Sequence, residues 1–586
     1  MVLDGRIGVR MKTWVLSMLL LTAAELSAQS SGILPLRDVR AGMRGVGKTV
    51  FAGDRVEDFQ VEILGVLENA GPKQSIILAR LSGGPLAKTG VMQGMSGSPV
   101  YVGGKLIGAV ALAFTFATEP IAGIRPIEEM FDMPPMSRVA AAPVPRSEFA
   151  WNGGAKLVEL STPVSFSGFS RLALERFGPE LRKLGLEPVQ GALGGGTSSS
   201  TAVGDPKRIQ PGSMISVQLM TGDMAVGADG TVTHVDGDRI YAFGHRFLAG
   251  GPSALPFARA EVLALLPNLT TSFKISSAKE HMGVITQDRN AAIAGNFGKR
   301  PPMVPVSISV KGPQGAARVY NMQMVHDRTF APLLTQMAIF SAIDGSERTL
   351  GQGSFTVRGA LEFEDGLPPV RLDNAFTSDM NAPALTAVYT SIPVTYLMQA
   401  GFDNLRIKSL NLEIEGTDTR KGYQLDQVWL PVREARVGDT LDLHLSLSGD
   451  NGAELFRKIP YVLPVGLATG PLYITVSDGM TANFADLIQI AGAKSRTPGQ
   501  VIRVLNSLRA NNKLTVKLWR PEPAYPVPGS ELPAPPASIG LILARMQNAG
   551  SLPLAPGRGA KIAEFDVDLG AYVASGAKTI QVEVKE

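Results

Sequence analysis

Gly94-Met95-Ser96-Gly97-Ser98-Pro99 is the stretch that decides how this chain folds, with Val100-Tyr101-Val102, the turn Gly103-Gly104 and Leu106-Ile107-Gly108-Ala109-Val110 directly behind it. A serine framed by glycines on a tight turn holds its hydroxyl clear of the backbone and leaves neighbouring amides free to converge on one point. The Gly94 and Ser96 amides are therefore candidates for an oxyanion hole, in which each donor is worth about 3–4 kcal/mol. A hairpin of short apolar strands follows the turn, not a helix. That excludes the strand–turn–helix nucleophile elbow, whose G-x-S-x-G pattern also fails because Ser98 occupies its last position.

Composition narrows the chemistry. The 586 residues are 45% hydrophobic and 18% charged, enough to bury several cores and too apolar for global disorder. With Gly 64, Pro 41 and only 6% aromatic residues, many short strands joined by tight turns are expected, so the fold class is mainly β. The absence of cysteine rules out a disulfide framework, a cysteine nucleophile and cysteine-based metal sites, and five histidines leave little for a polyhistidine centre. A net charge of +4 with no dense basic run argues against a nucleic-acid surface. The chemistry must rest on Ser, Thr, His, Asp, Glu or Lys, with no metal and no organic cofactor expected.

At the N-terminus Arg6, Arg10 and Lys12 precede the apolar run Trp14–Ala24, and the small residues Ser27 and Ala28 follow it. This is the pattern of a secretory signal peptide over residues 1–28, with Met1 or Met11 as the start. The run is short of the ~20 apolar residues of a membrane-spanning helix. The chain is thus expected outside the cytoplasm, periplasmic or extracellular, with no integral span once the signal is removed. Gly42-Met43-Arg44-Gly45-Val46-Gly47-Lys48-Thr49 satisfies G-x-x-x-x-G-K-T, but it is not read as a phosphate loop. A poor strand precedes it, and Gly53 interrupts the helix that would have to follow. No nucleotide partner is expected.

Short strands are read at Phe59–Val66, Ser75–Leu81, Pro99–Val102 and Lys105–Ala113, placing one half-domain at residues 30–145. Residues 146–210 read as a connector with one helix near Ser170–Leu184 and a Gly/Ser loop, and residues 211–365 as a second strand-rich half. Leu441, Leu443, Leu445 and Leu447 alternate with polar residues, which suggests a β-sandwich over 366–470. Residues 471–586 read as a mixed α/β module, with a capped helix opening at Thr497-Pro498-Gly499-Gln500 and a Pro-rich extended arm over 521–536.

A serine loop leading directly into a hairpin resembles chymotrypsin-like proteases. More specifically, Thr89–Gln93, Gly94–Pro99 and Gly104–Val110, with Val56–Ile63 and Pro126–Met130, resemble the stage IV sporulation protein B peptidase family. A second block, Gly230-Thr231-Val232-Thr233 through Asp236 to Ala242-Phe243-Gly244-His245, is similar to that family's stretch bearing the catalytic histidine. Gly283–Thr286 and Ile293–Lys299 correspond as well. The order is reversed, since in the family the histidine half comes first. The resemblance therefore implies a circular permutation over residues 40–135 and 210–345. The family's peptide-binding PDZ module is not recognisable, and its acidic residue upstream of the serine is replaced by Leu81.

The resemblance implies a permuted chymotrypsin-like double β-barrel followed by the β-sandwich and the mixed module. It also implies a serine endopeptidase acting on protein or peptide substrates. Ser96 is the expected nucleophile, His245 the general base, and the Gly94 and Ser96 amides the oxyanion hole. Asp288, well downstream of His245 as in chymotrypsin-like barrels, is the candidate that orients the imidazole, with Asp223, Asp236 and Asp238 as reserves; a Ser–His dyad is the alternative. His234 and His281 lack a glycine-framed loop, His444 falls on the polar face of its strand, and His326 sits beside Asp327 and Arg328 in a polar stretch. The rival reading is an inactive protease-fold binding or scaffold protein, and the C-terminal domains are where an envelope protein partner would be held.

Overall fold

A computed structural model describes residues 32–132, 148–150, 156–191, 202–268, 271–313, 315–346, 353–402, 404–484, 497–527, 530–533 and 559–586, with isolated positions between 536 and 542. The expected signal peptide and the Gly/Ser loop lie outside the described residues. Apolar, β-branched segments separated by glycine turns make the first strands: β1 (Arg44–Val50), β2 (Val56–Gly71), β3 (Gln74–Ser82), β4 (Pro99–Val102), β5 (Lys105–Phe114) and β6 (Ile121–Pro126). They close into a ring in the order β1-β2-β3-β6-β5-β4 and back to β1. Closure buries Phe59, Val61, Ile63, Ile77, Leu81, Val100, Val110 and Ile124 in one interior. Leu81 is fully buried there. The Gly42–Thr49 stretch supplies β1, paired along its length with β2. Two short helices, α1 (Leu86–Thr89) and α2 (Ile127–Phe131), complete this barrel.

β7 (Glu148–Ala150) and β8 (Lys156–Glu159) lie beside β5, and β9 (Thr162–Ser167), α3 (Arg171–Lys183) and β10 (Leu186–Gln190) lead into the second half. The Ser170 hydroxyl caps α3 by accepting the Ala173 amide at 3.2 Å. Six further strands then repeat the first topology: β11 (Met214–Gly222), β12 (Ala225–Asp236), β13 (Arg239–Ala242), β14 (Gly251–Leu266), β15 (Phe273–Asp288) and β16 (Ile293–Phe297). Their ring runs β11-β12-β13-β16-β15-β14 and closes on β11. Two barrels of the same strand order therefore stand side by side, mainly β as the composition requires.

The second sheet does not stop at the barrel. β18 (Arg318–Val325) pairs with β11, and the sheet continues through β17 (Met303–Lys311), β21 (Ile407–Thr417), β19 (Gly353–Phe363) and β20 (Val370–Ser378). Two apolar helices, α4 (Phe330–Ser346) and α5 (Ala382–Gln399), share its core. The boundary expected at 365/366 thus falls inside the β19–β20 hairpin, whose register pairs Leu361 with Val370. The sandwich expected over 366–470 is drawn instead from β22 (Gly422–Trp429) to the C-terminal strand Ala577–Lys585. Leu441, Leu443, Leu445 and Leu447 share one core with Leu472, Ile474, Val516 and Val582, so the expected break at 470 divides two faces of a single sandwich. The proline-rich arm is extended, and Ala524–Val527 pair with Ser530–Pro533 in a hairpin at a sheet edge, where proline is tolerated.

Candidate active site

The serine loop joins the third and fourth strands of the first barrel. Gly94 (φ +87°) and Gly97 (φ +92°) adopt left-handed conformations that glycine takes without strain. Within the loop Gln93 O accepts the Lys274 amide at 3.2 Å and Met95 O accepts the Ser98 amide at 2.9 Å. A trans peptide sends its N–H opposite to its C=O, so both bonds turn the Gly94 and Ser96 amides the other way. Among the described residues neither amide donates to a backbone carbonyl, while those of Gln93, Met95, Gly97 and Ser98 all do. Ser96 is fully buried, and its Oγ has no hydrogen-bond partner among the described residues.

Three of the loop's other carbonyls are committed to the other barrel. Ser96 O accepts the Thr231 amide at 2.9 Å, Gly94 O the Thr231 hydroxyl at 2.8 Å and Gly97 O the Thr233 hydroxyl at 2.7 Å. Gly97 has to be glycine: a Cβ there would sit 2.0 Å from Thr231 O and 2.5 Å from Phe243 N.

His245 follows the third strand of the second barrel, the position equivalent to that of Ser96 in the first. Phe243 N donates to Thr231 O at 3.1 Å, so Thr231 bonds to both loops. They also meet at Val110: its carbonyl accepts the Gly97 amide at 2.8 Å, and a Cβ on Gly244 would lie 3.1 Å from it. His245 Nδ1 is 2.6 Å from Arg246 O. A carbonyl only accepts, so Nδ1 carries the proton there and Nε2 keeps the lone pair a general base needs.

Asp288 ends β15, and its carboxylate accepts the amides of Phe247 at 2.8 Å, Leu248 at 2.7 Å and Gly250 at 3.1 Å. It is thus seated in the loop that follows His245. Burial pushes its pKa up, and the loop amides oppose that shift. Asp223 lies in the turn that joins β11 to β12, Asp236 ends β12 opposite Arg239, and Asp238 lies in the turn between β12 and β13. Among the other histidines, His281 Nε2 faces Gly298 O at 3.2 Å and His444 stacks on Trp429.

Two groups at the site carried no local signal in the sequence. Lys274, on β15, is buried with its stem against Gly94, and its Nζ donates to Thr49 Oγ1 at 2.8 Å. Ser98 Oγ donates to the same hydroxyl at 3.0 Å. Burial lowers the Lys274 pKa to about 7. The second group is a buried ionic cluster. Glu159 lies 3.5 Å from Arg246 Nε and 3.6 Å from Arg125 Nη2, and Arg125 also reaches Glu129 at 3.3 Å.

Two closed barrels with a glycine-framed serine and a histidine on equivalent, adjoining loops are the architecture of a β-barrel protease. Residues 22–131 match the family model described as SpoIVB peptidase S55, SpoIVB being stage IV sporulation protein B, so the segment bearing Ser96 is similar to that peptidase family. The match ends before His245 and Asp288. No curated protein and no solved structure matches the chain.

Proposed function

We propose that this protein is an exported serine endopeptidase of permuted barrel order, in which Ser96 and His245 act on the peptide bonds of protein substrates. The observation that carries the reading is the junction at Thr231, which bonds to both the Ser96 loop and the His245 loop. Ser96 Oγ adds to the peptide carbonyl while His245 Nε2 takes its proton and returns it to the leaving amine. The Gly94 and Ser96 amides receive the oxyanion, and neither has a carbonyl to surrender first among the described residues. Asp288 holds the His245 loop through its three amide bonds. Export rests on the residue 1–28 pattern. Among the described residues no helix is long and apolar enough to cross a membrane.

Fluorophosphonate labelling tests the reading. The full chain should take up one label on Ser96, and S96A none; H245A should label far more slowly. A wild-type chain that neither labels nor cleaves any unfolded protein substrate would leave a binding protein on a protease scaffold.

A further inference from the structure

The second barrel carries a polar cavity that the peptidase reading leaves unused. Its volume is about 430 Å³, and it is walled by β9, β11, β12 and β15 of the barrel and by β17, β18 and β21 beyond it. Among the described residues its lining includes neither Ser96 nor His245. Asp229, on β12, forms its buried side and is 2% exposed. The register of β11 sets Ser216 directly opposite Asp229. Ser165 Oγ of β9 donates to Asp229 Oδ2 at 3.0 Å, and Ser276 Oγ of β15 donates to the same oxygen at 2.6 Å. The Ser216 hydroxyl donates to Asp229 as well, and itself accepts Gln218 Nε2 at 3.0 Å. Three strands thus each turn a serine toward one carboxylate.

These donors are neutral, and the charge they surround is not matched. Among the described residues Asp229 has no ion-pair partner, and no lysine, arginine or histidine lines the cavity. A carboxylate buried without a counter-charge is costly. Burial pushes the Asp229 pKa up, and the three hydroxyls oppose that shift. A second carboxylate, Asp223, stands at the exposed rim, where its Oδ2 accepts the Asn321 amide at 2.7 Å. Two acids and no base repel anions. No aromatic ring lines the cavity among the described residues, so a sugar or a nucleobase finds no face to stack on. Ala225, Ala278 and Pro305 add partly exposed apolar wall, against which an alkyl stem can lie.

We propose that this cavity binds an organic cation, an ammonium or guanidinium group on a short alkyl stem, with its charge against Asp229. The cation supplies donors only, and the carboxylate and the hydroxyl lone pairs of Ser165, Ser216 and Ser276 are the acceptors it meets. Asp223 adds negative charge where the ligand enters. The same group arrives from two sources: a free alkylamine, or the lysine or arginine side chain of a bound protein. Asp229 and Thr231 share one face of β12, two residues or about 7 Å apart, so the filled cavity adjoins the junction between the barrels. Binding needs neither Ser96 nor His245, so it stands or falls apart from the peptidase reading.

Isothermal titration calorimetry on the full chain, at neutral pH and fixed ionic strength, tests the site. The probes are putrescine and agmatine, with butanediol as the uncharged match and an end-blocked peptide holding one lysine among glycines as the protein-borne source. Both amines should bind and butanediol should not. Asp229→Asn should weaken putrescine by about tenfold or more, the loss of a charge-assisted bond. Asn411→Lys changes an exposed residue of the rim and leaves the interior alone; its fixed ammonium in the mouth should weaken both amines several-fold. A peptide that competes with putrescine assigns the site to a side chain, and amines that bind without it assign a free ligand. Failure of both amines to bind would overturn the site, as would butanediol binding equally well. Putrescine binding undiminished in Asn411→Lys or in a folded Asp229→Asn would do the same. Potassium chloride giving the same Asp229-dependent heat would replace it with a bare alkali-ion site.

Discussion

The amide of Thr231 donates to the carbonyl of Ser96 at 2.9 Å, and the carbonyl of Thr231 accepts the amide of Phe243, two residues before His245. One peptide-bonded residue thus fixes the serine loop of one barrel against the histidine loop of the other. The site belongs to neither barrel alone, and its geometry depends on how closely they approach.

That approach should be exquisitely sensitive at Gly97. Gly97→Ala would put a methyl 2.0 Å from Thr231 O at a φ of +92°, so the barrels would have to separate. We expect a loss of roughly 2–4 kcal/mol by urea unfolding, from overpacking and backbone strain together, with labelling abolished. Gly103→Ala also has positive φ but meets nothing within 4 Å, and it should cost only about 1–2 kcal/mol with labelling intact.

Asp288→Asn replaces an acceptor of three loop amides with a group that has an N–H of its own. The loop after His245 should shift, and a displacement of even 1 Å can cost about 100-fold in rate. The loss should fall on kcat with KM little changed, because the carboxylate acts on His245 through its loop. Asp236→Asn, at the end of β12, should leave both constants near wild type.

Lys274 gives a pH dependence of definite sign. Its pKa is about 7 in the folded protein and ~10.4 in an unfolded chain, so between those values the unfolded state binds more protons. Stability should therefore rise with pH across that window, and below it the full penalty of burying the ammonium should be present. Lys274→Met removes the titrating group. Urea midpoints measured from neutral to alkaline pH should lose most of their slope in this variant and be higher at neutral pH.

Neither barrel should be stable alone. Residues 32–132 on their own would expose the serine-loop carbonyls that Thr231 and Thr233 satisfy, and the edge of β5 that β8 covers. We expect this fragment to aggregate on expression. A soluble fragment with cooperative unfolding would show that the halves fold independently.

Much of the local structure was legible in the sequence. Gly94–Pro99 and the Gly103-Gly104 turn mark a serine loop and its hairpin because glycine conformations and strand periodicity are local properties. The alternating leucines at 441–447 form a half-buried strand for the same reason. His245 was singled out by the likeness of Gly230–His245 to the sporulation-peptidase stretch that bears a histidine, and Asp288 by its chymotrypsin-like spacing after it.

Only the tertiary structure decided what these pieces face. Whether β19 and β20 lie in the barrel's sheet or in a later domain depends on pairing with β21, which no local window contains. Lys274 beneath Gly94 and Glu159 between Arg125 and Arg246 look like ordinary surface residues in sequence; their burial follows from the closure of two barrels and the docking of one on the other. Strand periodicity records which face of a strand is buried, and it carries no record of the partner that buries it. The chain's local chemistry therefore determined the serine loop and the strands around it, while contacts between segments far apart in sequence determined which groups meet in the cleft.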